Sequence, residues 1–341
     1  MSATTRVVVV EYDGEAVLPD CLASLVRTVP PDIPITVIDN ASPTPAESLI
    51  PLDLKDRVEI LRLQTNIGYA GAIAEAWSLG DEEFVVIANN DLEFTDGWLR
   101  AFIEAAERTG AHAVSATIEH DHSTPLESST NASLNPLLYL IPGVFRDRTK
   151  AIYPSGACFL LRRDPGLGSR AVDPEYFLYY EDVYIGFLLR SLGKTIIQCP
   201  DARVRHRASH AVRKADPNRI AFLQERNRLL TQILFFSLTT LLGISPIILL
   251  DSLLKIPACW IRGKPAIPTL QAHFWVLLNI RRILRKRARL REIPGFDPKR
   301  ILPWLTGRLL PPDLPTARFW NALSTGWFRL VGIPVDREAR A

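Results

Sequence analysis

Short apolar runs alternate with stretches of helical spacing through the first half of this chain, and that alternation restricts its fold more than any other feature. Strand-type runs fall at Arg6–Val10, Ile35–Ile38, Val58–Leu63, Phe84–Ala88 and Ala113–Ile118, with helical patterns over 17–29, 45–50, 70–79 and 97–109. Such an order predicts an α/β domain with a mostly parallel sheet and helices on both faces. Runs without polar alternation predict strands covered on both sides. Further on, a strand-like run spans Tyr153 to Arg163, a helix opens within Tyr176–Asp182 and reaches Leu192, and a last strand covers Thr195–Cys199. The polar stretch Asp121–Asn135 reads as a surface loop able to order over a ligand.

The residues with chemistry to offer stand where these strands end. Asp39-Asn40-Ala41-Ser42 follows the second strand, Asn66-Ile67-Gly68-Tyr69-Ala70-Gly71 the third, and Asn89-Asn90-Asp91 the fourth. Ligands of open α/β sheets bind in the crevice outside the carboxyl ends of the strands, where an acidic residue can hold a cation beside phosphates. Asp39 is suited to accept from the imide of a pyrimidine base, and Gly68 and Gly71 let backbone approach a ligand at a helix start. The competing reading of each cluster is a turn or a helix cap. No GxGxxG occurs in this half, which argues against a nicotinamide dinucleotide fold.

Composition separates the chain into two parts. Its 341 residues, 47% hydrophobic and 23% charged, suffice for one large domain and something more. The net charge of +3 conceals an asymmetry: Arg226 to Arg291 holds twelve Lys/Arg and one acid, Asp251. The expected division is a catalytic domain over residues 1–215 and a helical, basic region over 216–341. Cys21, Cys158, Cys199 and Cys259 are scattered without metal-type pairing, which fits a reducing compartment. The first strand begins too early to leave space for a signal peptide's apolar core.

Seven short motifs stand in order: Cys21-Leu-Ala-Ser-Leu25, Asp39-Asn-Ala-Ser42, Asn66-Ile-Gly-Tyr-Ala-Gly71, Asn89-Asn-Asp91, Ser155-Gly-Ala157 leading to Arg162-Arg163, Tyr180-Glu-Asp182, and Ala202-Arg-Val-Arg-His206. Together they resemble the family 2 inverting glycosyltransferases of rhamnosyltransferase-like, bacterial cell-surface polysaccharide type. The resemblance covers roughly residues 6–210 and extends loosely into Glu225–Leu230. It implies the A-type glycosyltransferase fold, a nucleoside diphosphate sugar donor and a lipid-linked glycan acceptor. By the same resemblance Asp39 reads the base, Asn66 and Gly68 line the donor pocket together with Asn89 and Asn90, and Asp91, the counterpart of the family's DxD, holds Mg²⁺ or Mn²⁺. Asp182 is then the catalytic base. His206 stands where a histidine in some relatives completes the metal site or contacts the diphosphate.

The chemistry behind these roles is general. A leaving nucleoside diphosphate develops negative charge that a metal ion neutralises, and an attacking hydroxyl must lose a proton, which one placed carboxylate can take. A single displacement inverts the sugar carbon. Other readings stay open for Glu181-Asp182, as acids favoured at a helix start, and for His206, His120 and His122, as solvated loop histidines. Arg162, Arg163 and Arg190 are candidates to reach phosphates. Two positions depart from the family pattern: Asp13 replaces an asparagine after the first strand, and Tyr184 replaces an acid two residues beyond Asp182. They leave open a noncatalytic nucleotide-sugar-binding scaffold of a polysaccharide assembly complex. Transfer to a polyprenyl phosphate is the alternative within enzymes.

Ile233–Leu250 is an uncharged run of eighteen residues, at the short limit for a membrane span and interrupted by Gly243 and Pro246. The basic run Arg281–Arg291 and five tryptophans follow it. This combination predicts interfacial helices on the cytoplasmic face of the plasma membrane more readily than a crossing. No nucleic-acid recognition module is present.

Overall fold

The computed structural model describes residues 4–120, 132–206, 216–261, 267–311 and 313–340. Two compact units emerge, one of residues 1–130, 148–185 and 194–214, the other of 131–147, 186–193 and 215–341. Two segments that the sequence assigned to the catalytic domain therefore cluster with the C-terminal unit.

The first unit is built from β1 (Thr5–Glu11), α1 (Leu18–Thr28), β2 (Ile35–Asp39), α2 (Ala46–Leu49), β3 (Val58–Arg62), α3 (Gly68–Ser78), β4 (Phe84–Asn89), β5 (Leu92–Phe94), α4 (Trp98–Thr109) and β6 (Ala113–His120). After β7 (Ser133–Leu134) and β8 (Leu140–Ile141) of the other unit come β9 (Cys158–Arg162), α5 (Glu181–Ser191) and β10 (Ile196–His206). One sheet runs in the order β3-β2-β1-β4-β9-β6-β10-β5. β3, β2, β1 and β4 are parallel to one another, as is β6 to β10, while β9 runs antiparallel to β4 and β6, and β5 antiparallel to β10.

Local sequence explains these elements. Val7, Val8 and Val9 of β1 are fully buried, as a central strand between helices requires. β3 lies at the edge and shows the other pattern, with Glu59, Ile60 and Arg62 exposed. α1 carries Pro19 and Asp20 in its first turn and Arg27 in its last, in the sense that the helix dipole favours. Gly97 and Gly110, both left-handed, bracket α4. Trp98 of that helix packs on Phe94 and Phe102, with centroids 4.6 and 5.8 Å away.

The C-terminal strand differs from expectation. β10 continues past Cys199 to His206, because Pro200, Asp201 and Ala202 form a bulge: Cys199 pairs with Ala116, and Arg203 with the next residue, Thr117. Pro200, which reads as a strand terminator, sits in the bulge, where no ladder hydrogen bond is asked of it. The run Tyr153–Arg163 shrinks to β9, since Pro154 and Ser155 lie outside the ladder and Gly156 and Ala157 form a turn before it.

The second unit is helical: α6 (Pro217–Phe235), α7 (Leu238–Ile261), α8 (Ile267–Leu278), α9 (Ile280–Arg291), α10 (Ala317–Leu330) and a last short α11 (Arg337–Arg340). Asp216 caps α6 by accepting from the Asn218 amide at 2.9 Å. Inside the unit Arg228, 1% exposed, donates to Glu225 at 2.6 Å and to the Leu137 carbonyl at 2.9 Å, and Tyr139 donates to Asp251 at 2.8 Å. The apolar run 233–250 is not one element. It begins in the buried end of α6, where Phe235 and Phe236 pack on Phe187, and resumes in α7. Among the described residues no helix is long and apolar enough to cross a membrane.

Candidate active site

In the first unit, parallel β1, β2 and β4 end side by side, and their last residues build a polar floor. Glu11, at the end of β1, is fully buried; its carboxylate accepts from the Gly14 amide at 2.7 Å and from Asn90 Nδ2 at 2.6 Å. Burial raises its pKa, and the bond from Asn90 works against that rise. A Cβ on Gly14 would lie 2.2 Å from Asn90 Nδ2 and 2.5 Å from a Glu11 carboxylate oxygen, so any larger residue there would displace the Asn90–Glu11 hydrogen bond. Glu11 was absent from the sequence candidates, although an acid closing the run Val7–Val10 carries the signal that singled out Asp39 and Asp91.

Asp39 closes β2. Its oxygens accept from the Ser42 amide at 2.8 Å and the Ala46 amide at 2.9 Å, and it pairs with Arg62. With the side chain 1% exposed, the carboxylate is committed to holding the turn and the start of α2. Asn40 beside it ties down the next loop, accepting from the Ile67 amide at 2.9 Å and donating to Asn66 Oδ1 at 3.2 Å and Gly68 O at 3.1 Å. Asn66 in turn accepts from the Gly68 amide at 2.8 Å.

Gly68 is left-handed, with φ +78°, and a Cβ there would lie 2.3 Å from the carbonyl oxygen of Phe177. That carbonyl accepts from the Ala70 amide at 3.1 Å. The loop leading into α5 thus rests directly on the loop leading into α3. Phe177, Tyr179 and Tyr180 all have positive φ, between 64° and 69°. Three non-glycine residues in that region store strain, which the surrounding contacts must hold in place.

This loop delivers Glu181 and Asp182 to the first turn of α5. Asp182 accepts from the Val183 amide at 2.7 Å through Oδ1 and from the Gly156 amide at 3.2 Å through Oδ2. Tyr69 fixes the same glycine from the opposite side, its hydroxyl donating to Gly156 O at 2.6 Å. Burial raises the pKa of both acids, and the charge of Asp182 adds to the rise at Glu181. Glu181 is the more enclosed, and its Oε2 accepts no hydrogen bond. Asp182 remains partly exposed and reachable. Two carboxyls held above their usual range, one sealed and one accessible, suit proton transfer near neutral pH.

Asn89 ends β4, with its amide bonded to the Ala157 carbonyl at 2.9 Å, and Asn90 turns toward Glu11. Asp91 is buried; its Oδ1 accepts no hydrogen bond and lies 3.1 Å from His206 Nε2 at the end of β10. Neighbouring ligands of an octahedral cation with bonds near 2.1 Å stand about 3 Å apart, so the pair fits two protein ligands of a divalent ion. Among the described residues no group of three or more His, Cys, Asp or Glu converges on one point. Any further ligands would be substrate oxygens or water.

The remaining sequence candidates fall elsewhere. Arg162 pairs with Glu83 and stacks on Phe84, and Arg163 bonds to the Glu82 carbonyl and stacks on Trp77, so both brace the sheet. Arg190 stacks on Trp304, 3.5 Å from its ring centroid, within the second unit. Tyr184 is buried, donates to the Arg170 carbonyl at 2.9 Å and packs on Tyr176, which accounts for an aromatic residue at that position. Asp13 has φ 54°, a conformation that aspartate and asparagine both tolerate. His122 and the side chain of His120 lie outside the described residues, as does most of the polar stretch expected to be a loop. Cys21, Cys158 and Cys199 are free, buried thiols.

Comparison with known proteins supplies the context. Residues 6–165 match the model of glycosyl transferase family 2. An N-acetylglucosaminyl-diphospho-decaprenol L-rhamnosyltransferase of Mycobacterium tuberculosis is 25% identical over 254 residues, 65% of this chain and 81% of that protein. The structure of S. aureus TarS 1-349 in complex with UDP superposes with a TM-score of 0.54 at 14% identity, over 96% of this chain and 90% of the other. GalNAc-T7 with UDP, GalNAc and Mn²⁺ gives 0.51 at 15% identity over 67% of this chain, which spans only 47% of that protein. At these identities the superpositions speak for the fold alone, which is that of the A-type glycosyltransferases. The family match spans the strands from β1 to β9, and a rhamnosyltransferase stands among the relatives, so residues 6–165 of this chain are similar to glycosyl transferase family 2.

Proposed function

We propose that this protein transfers a sugar, a deoxyhexose such as rhamnose, from a nucleoside diphosphate donor to a lipid-linked glycan, with inversion at the transferred carbon. The observation that carries the reading is Asp182: a reachable carboxylate with a raised pKa, held on two backbone amides and aligned by Tyr69 through Gly156. In this role it accepts the proton of the acceptor hydroxyl as that oxygen attacks from the face opposite the leaving diphosphate. Glu181, more deeply enclosed, keeps its proton longer and so leaves Asp182 as the base. Asn66, Gly68 and the floor formed by Glu11, Asn40 and Asn90 orient the donor. Asp39 acts on the base indirectly, through the turn it holds. Asp91 and His206 would hold Mg²⁺ or Mn²⁺, which when bound offsets the charge gathering on the departing diphosphate.

The acceptor class rests on the mycobacterial relative, whose named substrate already carries a sugar on a diphospho-decaprenol. That favours extension of a lipid-linked glycan over first transfer to a polyprenyl phosphate. Asp182→Asn tests the reading: transfer should fall by about a thousandfold or more while nucleotide affinity, measured by calorimetry with Mn²⁺, stays within about twofold. Loss of nucleotide binding together with turnover would make Asp182 a structural residue and remove the proposed base.

A further inference from the structure

The second unit exposes apolar surface on three helices, of which α8 and α10 each touch α7. On α7, Leu238, Leu242, Leu249 and Leu253 are exposed and recur on one face of the helix. α8 is apolar on both sides: Pro268, Thr269, Ala272 and Val276 are buried, while Ile267, Leu270, Phe274 and Leu277 face outward. A helix apolar all round is ordinarily covered all round. Phe319, Trp320, Leu323 and Leu330 form a similar exposed stripe on α10.

The stripes are neighbours. Trp327 of α10 donates to the Gly243 carbonyl of α7 at 3.0 Å, and Ser252 of α7 lies 3.3 Å from His273 of α8. The single acid of α7's described side chains, Asp251, accepts from Tyr139 instead of joining the exposed stripe. Exposed leucine, isoleucine, phenylalanine and tryptophan side chains on neighbouring helices are the kind of surface that marks an interaction site.

Charge identifies what covers it. Directly after α8, α9 carries seven Lys/Arg and no acid; it buries Ile283 and Leu290 and exposes Arg281, Arg282, Arg285, Arg289 and Arg291. Arg282 stacks on Trp275 of α8, 5.3 Å from the ring centroid, which joins the cationic helix to the apolar face. Apolar side chains beside a row of arginines match acyl chains beside anionic headgroups. A second copy of the chain would bring the same cationic helix to the interface, like charge meeting like.

We infer that the exposed face of α7, α8 and α10, with α9 as its basic rim, docks on an anionic lipid surface without crossing it. This stands independently of the transfer reaction, because it needs neither donor nor acceptor. Full-length protein is sedimented with vesicles of phosphatidylcholine alone and of phosphatidylcholine with phosphatidylglycerol, at low and high salt. Binding to the anionic vesicles is expected, weakened by salt, which screens charges beyond about 10 Å at 0.1 M. The triple variant Leu242→Glu/Phe274→Glu/Leu323→Glu should lose about tenfold or more in affinity for those vesicles. Arg281→Glu/Arg285→Glu/Arg289→Glu, which leaves the apolar face intact, should abolish the preference for anionic lipid. Circular dichroism confirms that each variant is folded. Protein that stays in the supernatant with both vesicles overturns the inference. So does a dimer in analytical ultracentrifugation that Phe274→Glu dissociates while vesicle binding is absent.

Discussion

At the scale of single residues the site is governed by carboxyls taken out of water. Glu181 has its pKa raised by burial first and by Asp182 second, so its neutral form is the one the folded chain prefers. The linkage follows in sign: a carboxyl with a raised folded pKa favours folding below its unfolded value, and that contribution is lost as pH rises through the folded one. Glu181→Gln removes the ionisation. The variant should melt above the parent by a few degrees near pH 9 and match it below about pH 5, by calorimetric scans across that range. A difference that does not change with pH would show that folding leaves the Glu181 pKa unraised. Asp39, Asp91 and Asp182 were legible as acids at strand or helix ends. Their division of labour was not, because the partners that decide it come from distant sequence: Gly156 lies 26 residues from Asp182, and Asn90 lies 79 from Glu11.

At the scale of elements, two loops are locked together. Gly68 lies under Phe177 at the start of α3, and the strained stretch ending at Tyr180 leads into α5. Gly68→Ala meets two obstacles, a left-handed backbone worth about 1–2 kcal/mol and a contact with the Phe177 carbonyl that no rotamer avoids. The substitution should reduce transfer by more than Asp182's distance from it suggests, and lower the Tm, whereas Gly97→Ala, with open space around its Cβ, should show the backbone cost alone. Equal effects at both positions would mean that the two loops are not coupled. The strands of this region were readable because Val and Ile runs need burial on both faces. β5 was missed, being three residues directly after a polar turn, and β10 was cut short because Pro200 resembles a stop. The C-terminal apolar run was legible as unusual, but its division between α6 and α7 depends on Phe235 and Phe236 finding Phe187.

At the scale of the whole molecule, one sheet of eight strands sets the position of the site residues Glu11, Asp39, Asn89 and His206 at its strand ends. β9 enters antiparallel between β4 and β6 and so brings the Gly156-Ala157 turn beside the end of β4. The bulge in β10 acts on the same sheet. Pro200, Asp201 and Ala202 have no counterparts opposite, so three residues are added to a ladder whose side chains alternate with a period of two. An odd insertion exchanges the faces, and every residue from Arg203 onward points opposite to the way an unbroken strand would turn it. Deleting Asp201 alone should leave a folded protein by circular dichroism but abolish Mn²⁺-dependent nucleotide binding in calorimetry, as His206 turns from Asp91; retained binding would exclude His206 from that role. The bulge is therefore a counting device. A histidine can be preserved by name and still be lost to its site by a change in parity, so in chains of this kind the spacing between Cys199 and His206 carries as much information as the letters at either end.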